Sequence, residues 1–280
     1  MANELKDLHL AFIGTGVMAE SMIAGLLRKD LVDPKSVAAS HPRVARRDEL
    51  VERHAIDVFA ENKTAAEAVS RRENSAVVLC VKPQRLKSVL NDLKGVLHPN
   101  QLVISVVAGA SIEHLAEELG TAKVVRAMPN TASQIGAGIT AWTCTVAVNE
   151  TERRHVRDLL SALGKELFVE TENMIDMATS LSATGPTYIF MVMEALTDAG
   201  VHLGFSRDMA KELVQETMLG SVKFAMESHK HPAELRNMVT SPGGTSAEAI
   251  YQMEKGSLRT VLSKAVYAAY KRAVDLGQKK

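Results

Sequence analysis

LHLAFIGTGVMAESMIAGLLR occupies residues 8–28 and reads as a strand, a turn and a helix in that order. Leu8–Ile13 is an apolar run of strand length. Val17, Met18, Met22, Ile23, Leu26 and Leu27 then recur at helical spacing. Between them, Gly14-Thr15-Gly16-Val17-Met18-Ala19 follows the G-x-G-x-x-A pattern. Gly14 permits a tight turn, Gly16 lets a pyrophosphate approach the backbone, and Ala19 is small enough for close helix–strand packing. The helix start offers free N–H groups to phosphate. The bare pattern is weak. Its place after a strand and before a helix makes it a dinucleotide site.

Similar units follow. Ser36–Ser40, Ile56–Ala60, Ser75–Val81, Leu102–Val107, Lys123–Met128, Ile139–Val148 and Glu166–Glu170 read as strands. Helical patterns occupy Pro42–His54 and, approximately, residues 84–94, 111–118 and 150–162. The continuous apolar runs suit central strands covered on both faces. The spacing predicts a doubly wound parallel sheet of Rossmann type over residues 1–170. From residue 171 to 280 the pattern is all helical, with helices expected near 174–182, 186–203, 207–228, 232–240, 245–254 and 257–276. All eight prolines fall at the edges of these elements.

Three places carry chemistry. The second strand ends in Ser40-His41-Pro42-Arg43, where an NAD site usually has a carboxylate for the ribose. A hydroxyl and a guanidinium suit a 2′-phosphate instead, so NADP(H) is expected, with NAD(H) as the alternative. Ser40 capping a helix from Pro42 is a compatible structural reading. Val81-Lys82-Pro83, Ala108-Gly109 and Met128–Thr131 end further strands, where the nicotinamide half of a dinucleotide would lie. In the helical half, Thr240-Ser241-Pro242-Gly243-Gly244-Thr245-Ser246 joins two helices. Its paired glycines free backbone N–H groups for a carboxylate, and Ser246 adds a hydroxyl on the first turn. Leu181–Pro186 reads as a similar loop into a helix. No metal-ligand spacing is found.

Charge excludes other classes. Thirty-three Lys+Arg balance 33 Asp+Glu, and residues 1–170 carry 21 of each. Such a chain lacks the positive field of a nucleic-acid or anionic-membrane binder. Aromatics at 4% also argue against base-stacking surfaces. Cys80 and Cys144 lie in apolar runs and read as buried thiols of a reducing, cytoplasmic compartment. No secretory leader is expected, since Met1 runs into the charged NELKD, and no membrane span, since the uncharged Met177–Met193 contains Gly185, Pro186 and several hydroxyls. Nine of the 13 methionines lie beyond residue 170. Such adaptable side chains on helices suit an interface between subunits.

The chain resembles the Δ1-pyrroline-5-carboxylate reductase family. The resemblance rests on IGTGVMAESMIAGL (13–26), VKP (81–83), VVAGASIEHL (106–115) and RAMPNT (126–131). It rests above all on LSATGPTYIFMVMEALTDAGVHLGFSRDMA (181–210) and VTSPGGTSAEAI (239–250). It implies NAD(P)H-dependent reduction of (S)-1-pyrroline-5-carboxylate to L-proline, the last step of proline biosynthesis. It also implies an N-terminal dinucleotide domain over 1–170 and a substrate-binding and dimerisation domain over 171–280. Gly14, Thr15, Gly16, Val17, Met18 and Ala19 would hold the pyrophosphate, and Ser40 with Arg43 the 2′-phosphate. Asn62 would lie near the adenosine, and Val81, Lys82, Pro83, Ala108 and Gly109 around the nicotinamide half. Ser241, Gly243, Gly244 and Thr245 would take the substrate carboxylate. Ser246, where the family typically has threonine, would face the ring nitrogen as the catalytic hydroxyl. The family implies a homodimer, in some members assembled further.

Three other readings compete with this one. A β-hydroxyacid dehydrogenase needs a lysine on the long helix after the Rossmann domain, and the helix after Pro186 has none before Lys211. A non-catalytic NADP(H) sensor has no use for a carboxylate nest. Reduction of a six-membered cyclic imine is the nearest enzymatic alternative.

Overall fold

The computed structural model describes residues 5–278. Contacts divide them into two compact units, one running to Thr184 and resuming at Ala269, the other spanning Gly185–Ala268.

In the first unit the strands are β1 (His9–Ile13), β2 (Val37–Ser40), β3 (Asp57–Phe59), β4 (Ser75–Leu79), β5 (Leu102–Ser105), β6 (Val124–Met128), β7 (Gly138–Cys144) and β8 (Gly164–Phe168). The helices are α1 (Val17–Arg28), α2 (Val44–His54), α3 (Asn62–Ser70), α4 (Pro83–Leu93), α5 (Ile112–Leu119), α6 (Glu150–Ser161) and α7 (Asn173–Ala178). The strands form one sheet in the order β3-β2-β1-β4-β5-β6-β7-β8. The first six give the Rossmann order, in which the chain reverses direction across the sheet between β1 and β4.

Alternate residues of β1 explain its continuous apolar run. Leu10 and Phe12 enter the core under α1 and α6, with Met22, Leu26 and Leu159. Ala11 and Ile13 enter the opposite core, under α3, α4 and α5, with Ala65, Leu90 and Leu115. Each strand residue thus removes its side chain from water on one face or the other.

Four expectations need correction. β7 runs antiparallel to β6, although β8 is parallel to β7. The connection from Met128 to Gly138 holds only a short 3₁₀ turn, Thr131–Ile135, too short for the crossover that a parallel neighbour requires. Helix α3 went unrecognised because its buried face is Ala65, Ala66 and Val69 rather than a stripe of large residues. The LSATGP segment is no loop: α7 continues through a single π-helical turn, Thr179–Ala183. Hydroxyl groups support that turn, Thr179 Oγ1 donating to the Ile175 carbonyl at 2.7 Å and Thr184 Oγ1 to the Thr179 carbonyl at 2.9 Å. Finally, the helix after β2 starts at Val44 with Arg43 as N-cap, so Ser40 caps nothing.

The compact first unit extends beyond residue 170 because α7 packs on the sheet through Ile175, which is fully buried. The second unit contains α8 (Gly185–His202), α9 (Arg207–Ser228), α10 (Pro232–Met238) and α11 (Thr245–Lys255). The last helix, α12 (Leu258–Gln278), begins in the second unit and ends in the first. α8 and α9 approach closely where Gly200 meets Ala210; a Cβ on Gly200 would lie 2.9 Å from that of Ala210.

Candidate functional site

Strand polarity locates the first site. A concavity of about 550 Å³ in the first unit opens at the amino ends of the strands beside Arg72, His98 and Lys123. Ligands of open α/β sheets bind at the carboxyl ends instead, at the reversal of strand order. There β1 delivers Gly14 to α1.

Gly14 has φ +84°. A Cβ at this position would lie 2.3 Å from Val81 Cγ1, so the turn presses directly on the loop after β4. Ser40 sits beneath it, fully buried. Its Oγ accepts the Gly14 N–H at 3.2 Å and donates to Asn62 Oδ1 at 2.8 Å. Its carbonyl accepts both the N–H and the hydroxyl of Thr15, at 3.0 and 3.1 Å. Asn62 Nδ2 donates in turn to Asp92 at 2.8 Å. Ser40 and Asn62, expected as ligand contacts, are thus hydrogen-bonded to the turn and to each other.

Gly16 and Val17 are exposed, and Ala19 is buried against the sheet. The N–H groups of Val17, Met18 and Ala19 have no backbone acceptor, as expected for the first turn of a helix. With no Cβ to obstruct the crowded turn at Gly14, this is a cradle for a phosphate diester, and the residues present fit a dinucleotide.

Among the basic residues beyond β2, Arg46 and Arg53 are committed to carboxylates. Arg46 pairs with Glu20 and Glu49, and Arg53 with the same two. Burial opposes ionisation of Glu20, but hydrogen bonds from Arg46 and His54 and the charges of Arg46 and Arg53 outweigh it and hold its pKa below the ordinary value. Arg47 donates to the carbonyls of His41 and Pro42. Arg43 is exposed, with no side-chain partner among the described residues.

Val81 packs under the turn, Lys82 is the exposed N-cap of α4, and Pro83 opens that helix. Ala108 packs with Met128 and Ile175 beyond the end of β5, and Gly109 follows. These residues share the carboxyl edge with Gly14.

The second site lies in the second unit. Ser241, Pro242, Gly243 and Gly244 turn the chain into α11, the Gly244 N–H bonding the Ser241 carbonyl at 3.1 Å. Gly244 is the N-cap, so Thr245 and Ser246 are the first two helical residues. The N–H groups of Gly243, Thr245 and Ser246 and the Ser246 hydroxyl have no partner among the described residues. Three donors and a hydroxyl at a helix start match a carboxylate with an adjacent basic atom. Among the described residues no cluster of His, Cys, Asp or Glu could hold a metal ion.

Sequence reading missed Arg126, whose guanidinium is buried at the carboxyl edge beside Glu172 and Asp176. The signal was a lone charge inside the apolar strand VVRAM, with two carboxylates one helical turn apart in ENMID.

A Rossmann sheet with a phosphate cradle, and a helical unit with a carboxylate nest and a hydroxyl, define a dinucleotide-dependent oxidoreductase of a small acid. Comparison with known proteins narrows this class. Residues 172–276 match the family model described as pyrroline-5-carboxylate reductase dimerisation. Residues 9–109 match the one described as NADP oxidoreductase coenzyme F420-dependent. Pyrroline-5-carboxylate reductase of Synechocystis is 36% identical over 98% of this chain and 100% of its own. That of Pseudomonas aeruginosa is 39% identical over 96% and 97%. The crystal structure of the Plasmodium falciparum pyrroline carboxylate reductase with NADP bound superposes with a TM-score of 0.88 at 30% identity, covering 98% of this chain and 99% of that one. The chain belongs to the pyrroline-5-carboxylate reductase family.

Proposed function

We propose that this protein reduces the cyclic imine (S)-1-pyrroline-5-carboxylate to L-proline, with NADPH as the preferred hydride donor. The observation that carries the reading is the start of α11. Three unpartnered N–H groups and the Ser246 hydroxyl stand there together, and that set suits an α-imino acid. Full-length relatives named for the same activity support it.

The reaction joins one imine, one NADPH and one proton to give one amine and NADP⁺. A nicotinamide held beside Val81–Pro83 and Ala108–Gly109 would supply the hydride; the protein supplies position and charge. Gly14 to Ala19 hold the pyrophosphate, and Arg43 pairs with the 2′-phosphate. The N–H groups of Gly243 and Thr245, with the turn of Ser241 and Gly244, hold the carboxylate. The Ser246 hydroxyl hydrogen-bonds the ring nitrogen, where charge changes as hydride reaches the adjacent carbon.

A homodimer is the proposed working unit. Ala210 is the only buried apolar residue of the second unit among the described residues, while Phe190, Met191, Val222, Met226 and Val261 are exposed. So much exposed apolar surface needs a partner copy. Cytoplasmic placement rests on the two free thiols, and no helix among the described residues is long and apolar enough to cross a membrane.

The decisive test is NADPH oxidation by the purified protein, followed at 1-pyrroline-5-carboxylate and at its six-membered analogue in parallel. Proline formation from the five-membered ring is expected. NADPH binding without turnover of either imine would make the protein a sensor. A second measurement addresses the cofactor. Arg43→Ala is expected to weaken NADPH binding about tenfold while leaving NADH binding unchanged, since only the former carries a 2′-phosphate. Equal loss for both dinucleotides would remove Arg43 from phosphate recognition.

A further inference from the structure

We infer that Glu172 is a positioning residue for hydride transfer. It fixes the loop after β5, residues 108–112, against the sheet, and the inference rests on the assignment of that loop to the nicotinamide half.

Arg126 lies in β6, paired in register with Ser105 of β5 and Thr143 of β7. Its side chain is only 4% exposed. A buried guanidinium requires anionic partners. It finds two, donating to Glu172 Oε1 at 2.9 Å and to Asp176 Oδ1 at 2.6 Å. Its Nε has no partner among the described residues, so the terminal nitrogens alone hold the group.

The two carboxylates differ in one respect. Glu172 Oε1 also accepts the backbone N–H of Ile112 at 2.8 Å. Ile112 is the first residue of α5, so a carboxylate replaces water at a helix N-terminus. One oxygen thereby joins the sheet to the far end of the loop. Asp176 touches the guanidinium but not the loop.

The near end of the loop is fixed differently. Gly109 lies so close to α12 that a Cβ would fall 2.8 Å from the Leu276 carbonyl carbon. Between the two anchors the loop borders a cavity of about 300 Å³ lined by Gly109, Ser111, Arg126, Glu172, Asp176 and Tyr270, among others. Ala108 packs on Met128 and Ile175, and Ala110 lies in the core beneath α3, α4 and α5; the two anchors add fixed points at either end of this packed stretch. A misplacement of about 1 Å at a reacting ring costs about 100-fold in rate.

The test compares Glu172→Ala with Asp176→Ala. Both remove one carboxylate from Arg126 and both lower Tm. Only Glu172→Ala frees Ile112, so only it is expected to lower kcat, by about 10- to 100-fold. Binding supplies a readout independent of turnover. Glu172→Ala is expected to raise the Kd for NADPH about tenfold and leave that for adenosine 2′,5′-bisphosphate, which has no nicotinamide, unchanged. Faster amide exchange at Ile112 accompanies it. If Glu172→Ala does not fold, Glu172→Asp, which withdraws the carboxylate by one methylene, shows the same pattern in smaller measure. Identical kcat and Kd changes in the Glu172 and Asp176 variants would overturn the inference and make the cluster purely structural. So would equal weakening of NADPH and the bisphosphate. A wild type that binds NADPH but turns over no imine defeats the proposed reaction, while the binding comparison still decides the role of Glu172.

Discussion

Gly14→Ala is expected to weaken dinucleotide binding by one to two orders of magnitude and lower Tm by several degrees. Two separate costs fall on one atom. At φ +84° an L-residue pays about 1–2 kcal/mol for its backbone alone. The new Cβ then meets Val81 Cγ1 at 2.3 Å, far inside van der Waals contact, and Val81 belongs to the loop assigned to the nicotinamide half. Relief requires the turn and that loop to move apart, which also stretches the bond from the Gly14 N–H to Ser40 Oγ. A loss of about 30- to 150-fold in NADPH affinity follows from about 2–3 kcal/mol of misplacement. Gly16→Ala separates strain from ligand approach. A Cβ there meets no atom within 4 Å, so Tm should hold while affinity falls, because only a bound pyrophosphate competes for that space. Fluorescence titration and thermal melts on both variants check this. Wild-type affinity in Gly14→Ala would show that the cradle lies elsewhere.

The same comparison of residues shows why some of the molecule was legible in sequence. The turn and the buried strands were, because each rests on local rules: small residues at the turn, and apolar side chains on both faces of each central strand. β1 satisfies both within residues 9–16. Helix α3 was not, since three small or medium residues, Ala65, Ala66 and Val69, bury its face without a periodic stripe of large side chains. The direction of β7 follows from the length of its connection, which a pattern of apolar runs does not encode. Sequence put Ser40 at the end of the second strand, facing a 2′-phosphate. That its hydroxyl meets the Gly14 turn follows only from the parallel pairing of β1 with β2 and the arrival of Asn62. Arg126 and Glu172 are 46 residues apart in the chain, and only the sheet brings them to 2.9 Å. Local chemistry was readable; the sharing of one carboxylate between two distant elements was not.

Ser246→Ala is expected to lower kcat by about 100-fold and leave NADPH affinity unchanged. The hydroxyl stands on the second residue of α11, with no partner among the described residues, next to the N–H groups that would hold the carboxylate. Those backbone donors survive the substitution, so the substrate still binds and KM should change little. What is lost is a donor whose position was fixed before the reaction, at the atom where charge changes. Water can reach the same nitrogen, but it must be ordered there at each turnover. The alanine variant should therefore depend on imine already protonated in solution, and its kcat/KM should fall earlier as pH rises than that of the wild type. Ser246→Thr keeps the oxygen and adds a methyl that restricts χ1, so it should retain wild-type turnover or exceed it. Thr245→Ala tests whether any hydroxyl on this turn would serve: its backbone N–H remains, and kcat should stay within about twofold of wild type. Unchanged turnover in Ser246→Ala would assign proton delivery to solvent and leave the turn with the carboxylate alone.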